Sequence, residues 1–206
     1  MAIVINGSGT VTGISVGGLP DGIVDAGTLA TNSVDSAELI DGAVDTSHLA
    51  SGVGGITNRQ IWILTTNLSL TGNSSLADIT ANQAESTVTG YARLGGAMTV
   101  SSGVFTFPET GIWAVDGIYN FTGANGYAMG QILVTVNGGS NWTSVARLQE
   151  ETDDQEYANG YMSSQIDVTN TSNVKVKFQQ GGTASTLEAT NTMLQTGFIF
   201  TRIGDT

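Results

Sequence analysis

The sequence contains no cysteine, one histidine, two prolines and only six basic residues among its 206 positions. Without cysteine there is no disulfide framework, no thiolate nucleophile and no cysteine-ligated metal site. Six lysine and arginine residues stand against 18 aspartate and glutamate residues, and the formal charge is −12. A nucleic-acid surface requires clustered positive charge, so we expect no binding to DNA or RNA.

Hydrophobic targeting segments are also missing. The opening MAIVINGSG has no basic segment before its short apolar run, which predicts no secretory signal. No stretch approaches the roughly 20 apolar residues that a membrane-spanning helix needs. We therefore expect no membrane insertion.

Charged residues make up 12% of the chain, against about a quarter in ordinary globular proteins, and small polar residues and 28 glycines take their place. Short apolar segments alternate with turn clusters over most of the chain, a pattern typical of a β-sandwich. Strands are predicted at 60–66, 91–100, 104–107, 112–121, 131–136, 145–149, 161–168, 174–178 and 196–203. Residues 71–85 are assigned to no element, and Asn137-Gly138 predicts a hairpin.

The most informative stretch is GVFTFPETGIWAVDGIYNF, residues 103–121. Pro108-Glu109-Thr110-Gly111 has turn chemistry and separates two strands. The second strand carries on one face a set of large apolar residues that predicts a core, namely Trp113, Val115, Tyr119 and Phe121. Its other face is mixed, as expected of a surface that a neighbouring subunit half covers: Ile112, Ala114, Asp116, Ile118 and Asn120.

The run G-x-F-x-F-P-x-x-G-I-W-x-V in this stretch resembles the central strand pair of the tumour necrosis factor and complement globular-head superfamily. Over residues 59–206 the resemblance implies a jelly-roll β-sandwich that assembles as a homotrimer. The final apolar run, Gly197-Phe198-Ile199-Phe200, is similar to the superfamily's last strand, which lies centrally in its inner sheet.

Three similar nine-residue segments precede this region and recur with a period of ten residues: GIVDAGTLA, NSVDSAELI and GAVDTSHLA. Each unit predicts one short helical turn, with an aspartate as N-cap and a valine–leucine staple around it, and the caps are Asp25, Asp35 and Asp45. Such short helices are unstable alone, so we expect three chains to associate in a stalk. The stalk contacts would come from Val24, Leu29, Val34, Leu39, Val44 and Leu49.

The repeats and the opening residues resemble fibre proteins of tailed bacteriophages, particularly marine, cyanophage-like ones. The resemblance implies a homotrimeric virion appendage, assembled in the host cytoplasm, such as a tail fibre or short spike. Residues 1–22 would attach to another virion protein of the tail or capsid, 23–50 form the stalk, 51–58 a glycine-rich joint, and 59–206 a head. The head would contact a host-surface glycan or protein. A capsid decoration or head fibre is the alternative, and a glycan-degrading tailspike a further one.

Chemical motifs are few. Gly13-Ile14-Ser15-Val16-Gly17 spells a nucleophile elbow, but no strong strand precedes it and no helix follows, and His48 is the only base. We therefore predict no catalytic residues, no enzyme activity, and neither a cofactor nor a metal site.

Two groups of residues are candidates for binding. Aromatic residues among asparagine and glycine suit a glycan or protein surface, or else they cap the sandwich or fill the trimer axis: Tyr127, Trp142, Tyr157 and Tyr161. An acidic run is interpreted as a solvated loop, with calcium binding as the alternative: Glu150, Glu151, Asp153, Asp154 and Glu156.

Overall fold

A computed structural model describes Val44 and residues 55–69, 73–123, 126–153, 156–183 and 186–206. Val44 lies in a bend and its side chain is exposed. The other stalk residues and the three aspartate caps lie outside the described residues, so the stalk stays a prediction. The remaining described residues all belong to one unit, Gly52–Thr206. Within the described part of the chain, no helix is both long enough and apolar enough to cross a membrane.

The described residues form antiparallel strands and no helix. In chain order the strands are β1 Asn58–Leu64, β2 Leu68–Ser69, β3 Asn73–Asp78, β4 Gln83–Glu85, β5 Thr99–Ser101, β6 Val104–Thr106, β7 Gly111–Thr122, β8 Gly126–Thr135, β9 Thr143–Thr152, β10 Tyr157–Val168, β11 Lys175–Thr183, β12 Thr186–Leu187 and β13 Gly197–Gly204.

These strands make two sheets that face each other as a jelly-roll sandwich. Sheet I has the order β10-β7-β13-β1-β4, and the short β12 and β2 extend it where β7 runs beyond the end of β13. Sheet II has the order β5-β6-β11-β8-β9, with β3 beside the far half of β11. Sheet I therefore ends in the long strand β10 on one side and in the three-residue strand β4 on the other.

Aromatic rings from both sheets fill the space between them. Phe105 of sheet II lies 5.2 Å from Trp62 and 5.0 Å from Phe200 of sheet I, measured between ring centroids. Phe178 stacks on Phe198 across the sandwich at 3.7 Å. All of these rings are buried, and they form the centre of the core because alternate residues of each strand point inward.

Strand β7 confirms the two predicted faces of this element. Its burial alternates strictly along all twelve residues, and the predicted core residues Trp113, Val115, Tyr119 and Phe121 are fully buried. The Tyr119 hydroxyl crosses to sheet II and donates a hydrogen bond to the Gln179 carbonyl oxygen at 3.0 Å. The last strand, β13, lies between β7 and β1 as the family resemblance implies.

The predicted strand at 91–100 is wrong over most of its length. Strand β5 begins only at Thr99, and between 91 and 98 a single bridge joins Leu94 to Arg59. Gly95 follows with a φ of +74°, and a side chain there would meet the Thr57 carbonyl oxygen at 2.5 Å. This close approach bends the chain out of strand geometry. The unassigned residues 71–85 contain β3 and β4.

The hairpin predicted at Asn137-Gly138 joins β8 to β9, but through the seven residues between Thr135 and Thr143. The Thr135 hydroxyl donates to Asn137 Oδ1 at 2.8 Å and accepts from the Gly139 backbone N–H at 3.0 Å. These side-chain bonds satisfy backbone donors of a wider loop, so the tight two-residue turn is not formed.

Candidate functional site

The outer face of sheet I, which points away from the core, is the broadest candidate contact surface of the head. Half-buried apolar side chains from adjacent strands share it, including Ile112, Ala114 and Ile118 of β7 and Ile199 of β13. Two carboxylates lie among them, because the register places Asp116 opposite Ile199 and Asp167 opposite Ile112. The face therefore combines partial exposure with low charge, which is typical of a protein interaction surface.

Strand β10 borders this face and carries two of the four predicted surface aromatics. Tyr157 and Tyr161 lie on the same side of the strand and are 66% and 63% exposed. The Tyr161 hydroxyl donates to Asp116 Oδ1 at 2.8 Å, and this hydrogen bond raises the pKa of the Tyr161 phenol. The bond fixes the ring while leaving most of its surface in contact with solvent.

The other two aromatics lie elsewhere. Tyr127 is the second residue of β8 and lies opposite Glu151 of β9. Trp142 lies in the loop that joins β8 to β9, at the other end of these strands. Trp142 is half-buried, and the Lys177 ammonium stands 4.6 Å from the centre of its ring. The structure thus does not gather the four aromatics at one place.

Lys177 also forms an ion pair with Asp78, with 2.8 Å between Nζ and Oδ2. Burial raises the pKa of the Asp78 carboxyl, but hydrogen bonds from Lys177 and Gln179 outweigh it and leave the pKa below its ordinary value. This cluster on the outer face of sheet II links β3 to β11 and contributes to stability rather than to chemistry.

The side chains of the acidic run do not point toward one common site. Glu150 and Glu151 are consecutive in β9 and therefore point to opposite faces of sheet II. Asp153 and Glu156 lie in the following turn, where the Glu156 backbone N–H donates to the Asp153 carbonyl oxygen at 3.2 Å. Asp154 lies outside the described residues, as do His48 and the serine motif at 13–17. Among the residues that the structure does describe, no group of three or more histidine or carboxylate side chains could hold a metal ion.

A groove that sequence reasoning missed opens at the β1 side of sheet I. Its volume is about 500 Å³, and its walls are mostly apolar side chains contributed by β1, the loop before β5 and Leu194. The Arg59–Leu94 bridge folds that loop over β1, with both backbone hydrogen bonds 3.0 Å long. The Tyr91 hydroxyl accepts from the Ile61 backbone N–H at 3.1 Å and holds the loop's other end.

No sequence signal marked this groove, because its walls are far apart along the chain. Arg59 and Leu94 are 35 residues apart, with β2, β3 and β4 between them, and Leu194 comes a hundred residues after Leu94. The alternation within β1 could have indicated only that Arg59 and Ile61 share a face.

Solved structures with this fold were found, although no protein-family model and no curated protein sequence matches the chain. Murine APRIL is 12% identical and covers 71% of this chain and 98% of its own, with a TM-score of 0.52. Eiger TNF from S. frugiperda is 7% identical and covers 74% of this chain and 96% of its own, with a TM-score of 0.56. The head has the fold of a tumour necrosis factor.

The vertex protein P5 of PRD1 covers 73% of this chain at 13% identity, and its TM-score of 0.46 is too low to establish a common fold. At identities this low, even the better matches define the architecture of the head and leave its function to the chain's own residues.

Proposed function

We propose that this chain is a homotrimeric structural appendage of a bacteriophage virion, a tail fibre or short spike. Residues 1–22 attach it to another virion protein, the ten-residue repeats form a three-chain stalk, and the head contacts the host surface. The observation that carries the proposal is the joining of fibre-type repeats to a head with a tumour-necrosis-factor fold. We expect repeats this short to be unstable as a single chain, so the association of three copies in the stalk would also bring three heads together.

The outer face of sheet I supports assembly of the head. Ile112, Ile118 and Ile199 are only half-buried in the single chain, and two aspartates, Asp116 and Asp167, lie beside them. Covering such a surface with a second copy removes apolar area from water, which contributes roughly 25 cal/mol for each Å².

Host attachment is proposed for the end of the sandwich where β7 turns into β8. Tyr127 and Tyr157 are both exposed there, since Tyr157 pairs with Thr122 at the last residue of β7 and Tyr127 is the second residue of β8. Tyrosine rings supply a rigid apolar contact and a hydroxyl for hydrogen bonding, which suits a glycan or a protein surface.

A role without catalysis fits the placement of the acidic residues. A glycan-cleaving enzyme usually needs two carboxylates that face each other across a bond. Glu150 and Glu151 point to opposite faces of their sheet, so these two residues do not form such a pair.

The proposal is tested first by the mass of the full chain in solution. Light scattering coupled to size exclusion should give three times the chain mass of 21.2 kDa. Gold-labelled antibody against the head should then decorate the tail of the virion that carries this protein. Labelling of the capsid surface would favour a decoration protein or head fibre, and shortening of host polysaccharide by the purified protein would favour a tailspike enzyme. A monomer in solution would overturn the proposal.

A further inference from the structure

The apolar groove on the β1 side of sheet I has the size of a small-molecule site. Its volume of about 500 Å³ lies within the range of ligand clefts in proteins. At its rim, Ile56 and Leu94 are 52% and 47% exposed, so the chain leaves large apolar side chains in contact with water there. All of its walls come from one copy of the chain, so the site does not depend on the proposed homotrimer.

The groove follows the outer face of β1, where Arg59 and Ile61 line it. Leu194 lines its other end, because the Leu194 side chain lies against Gly197, and Gly197 pairs with Ile63 of β1. Ile63 is four residues beyond Arg59, which corresponds to about 13 Å along the strand. The groove is therefore long enough for a hydrocarbon chain of medium length.

Arg59 brings a positive charge to the end of the groove away from Leu194. Its side chain is exposed, and within the described part of the chain it has no carboxylate in ion-pair range. Glu85, the acid at the neighbouring loop, already forms an ion pair with Arg93 at 2.8 Å and accepts from the Tyr91 hydroxyl at 3.3 Å. The charge of Arg59 is thus left for a ligand.

The other polar side chains of the walls already have partners within the protein. The Tyr91 hydroxyl accepts from the Ile61 backbone N–H at 3.1 Å. The buried Ser86 hydroxyl accepts from the Val88 backbone N–H at 3.3 Å. A ligand would therefore meet apolar side chains along most of the groove and a guanidinium at one end.

We propose that this groove binds an aliphatic carboxylate, a fatty acid of medium length, with its carboxylate on Arg59 and its chain directed toward Leu194. A guanidinium can donate two parallel hydrogen bonds to a carboxylate, which fixes the orientation of the ligand. The hydrocarbon chain covers Ile61 and Leu94 and removes apolar surface from water. Because the net charge of −12 disfavours the approach of anions in general, binding requires this local positive charge.

Calorimetric titration of the full chain with decanoate tests the site, at low salt and below the concentration at which decanoate forms micelles. Decanoate should bind once per chain. Acetate keeps the carboxylate without the hydrocarbon chain, and 1-decanol keeps the chain without the charge. Each of these two should bind at least about tenfold more weakly than decanoate, because each loses one of the two contributions.

Two pairs of variants locate the ligand. Arg59→Gln should weaken decanoate binding about tenfold, because charge-assisted hydrogen bonds are lost. Its matched control is Arg147→Gln, which removes the same charge from an exposed arginine of β9 in the other sheet and should leave the affinity unchanged. Leu94→Ser should weaken binding about fivefold through lost apolar contact, whereas Val136→Ser, in the loop between β8 and β9, should have no effect. An unchanged melting temperature shows that each variant is folded.

The absence of decanoate binding to the wild-type chain would overturn the proposal. Equal affinities for decanoate and 1-decanol, or equal losses in Arg59→Gln and Arg147→Gln, would overturn it as well. Light scattering on the same samples separates this result from the function proposed above. A wild-type trimer that binds no decanoate would indicate a groove covered by a neighbouring copy and would leave the homotrimer intact, whereas a monomer that binds decanoate would overturn the homotrimer and support the site.

Discussion

Replacing Phe105 with alanine should destabilise the head far more than a change on the opposite side of the same strand. Phe105 is fully buried, and its ring contacts Trp62, Phe178, Phe198 and Phe200 at centroid distances between 5.0 and 5.9 Å. Truncation removes the ring from all four partners at once and leaves a cavity between two sheets that cannot both move inward.

The expected loss is about 4 kcal/mol in the free energy of unfolding, the middle of the range for buried phenylalanine truncations. In a unit of this size each kcal/mol lowers the melting temperature by about 3 °C, so the loss corresponds to about 12 °C. Phe105→Leu refills most of the volume and should lose about 1.5 kcal/mol or less. Val104→Ala changes the half-buried outer side of the same strand and should lose less than about 1 kcal/mol.

Thermal unfolding at one fixed protein concentration, followed by tryptophan fluorescence, measures these losses. Trp62 is a direct reporter, because its ring lies against Phe105. Fixed concentration matters because association of the chains contributes to the apparent stability. A loss below about 2 kcal/mol for Phe105→Ala, or an equal loss for Val104→Ala, would refute the placement of Phe105 at the centre of the core.

Three further changes probe separate contacts. Tyr119→Phe removes the hydroxyl that donates to the Gln179 carbonyl oxygen. Chemical denaturation should show a loss of about 1–2 kcal/mol in the free energy of unfolding, and an unchanged value would contradict that hydrogen bond. Gly130→Ala places a methyl group 2.9 Å from the Tyr119 ring and should cost about 1–3 kcal/mol, whereas Gly204→Ala, with open space around it, should stay within about 0.5 kcal/mol. For Asp78, the folded pKa lies below the ordinary value of 3.8, so the carboxylate stabilises the fold above that value and the benefit is lost as the pH falls through the folded pKa. Asp78→Asn should therefore lower the free energy of unfolding by less than about 1 kcal/mol at neutral pH, since the ion pair is partly exposed. The difference from wild type should vanish in strong acid, and a difference that persists there would contradict the ion pair.

Several strands could be predicted because their signal is local. In β11, Val176 and Phe178 are buried while Lys175 and Lys177 remain half exposed, so residues two apart already define its inner and outer faces. The hairpin between β5 and β6 is equally local, since Ser102 and Gly103 both adopt positive φ in a tight turn. The ten-residue repeats are also a local signal, because each one is defined by residues close together in the sequence. Their structure stays a prediction.

Proposed surface residues were harder to judge from residue type. Trp142 and Tyr157 both have asparagine and glycine nearby in the sequence, but Trp142 is half-buried beside Lys177 and Tyr157 is exposed on an edge strand. The solvent exposure of each ring depends on which strand packs beside it, and the residues next to it in the sequence do not determine that strand.

Alternation of apolar and polar residues was sufficient to derive a β-sandwich with β7 at its centre, because the two faces of a strand are defined by its own neighbours. Pairing is a different matter. Strand β1 lies beside β13, more than 130 residues later, and the groove exists only where Arg59, Leu94 and Leu194 come together in the folded chain. Contacts of that kind depend on the free energy of the whole packed molecule, so they follow from the folded sheet order and from no single stretch of chain.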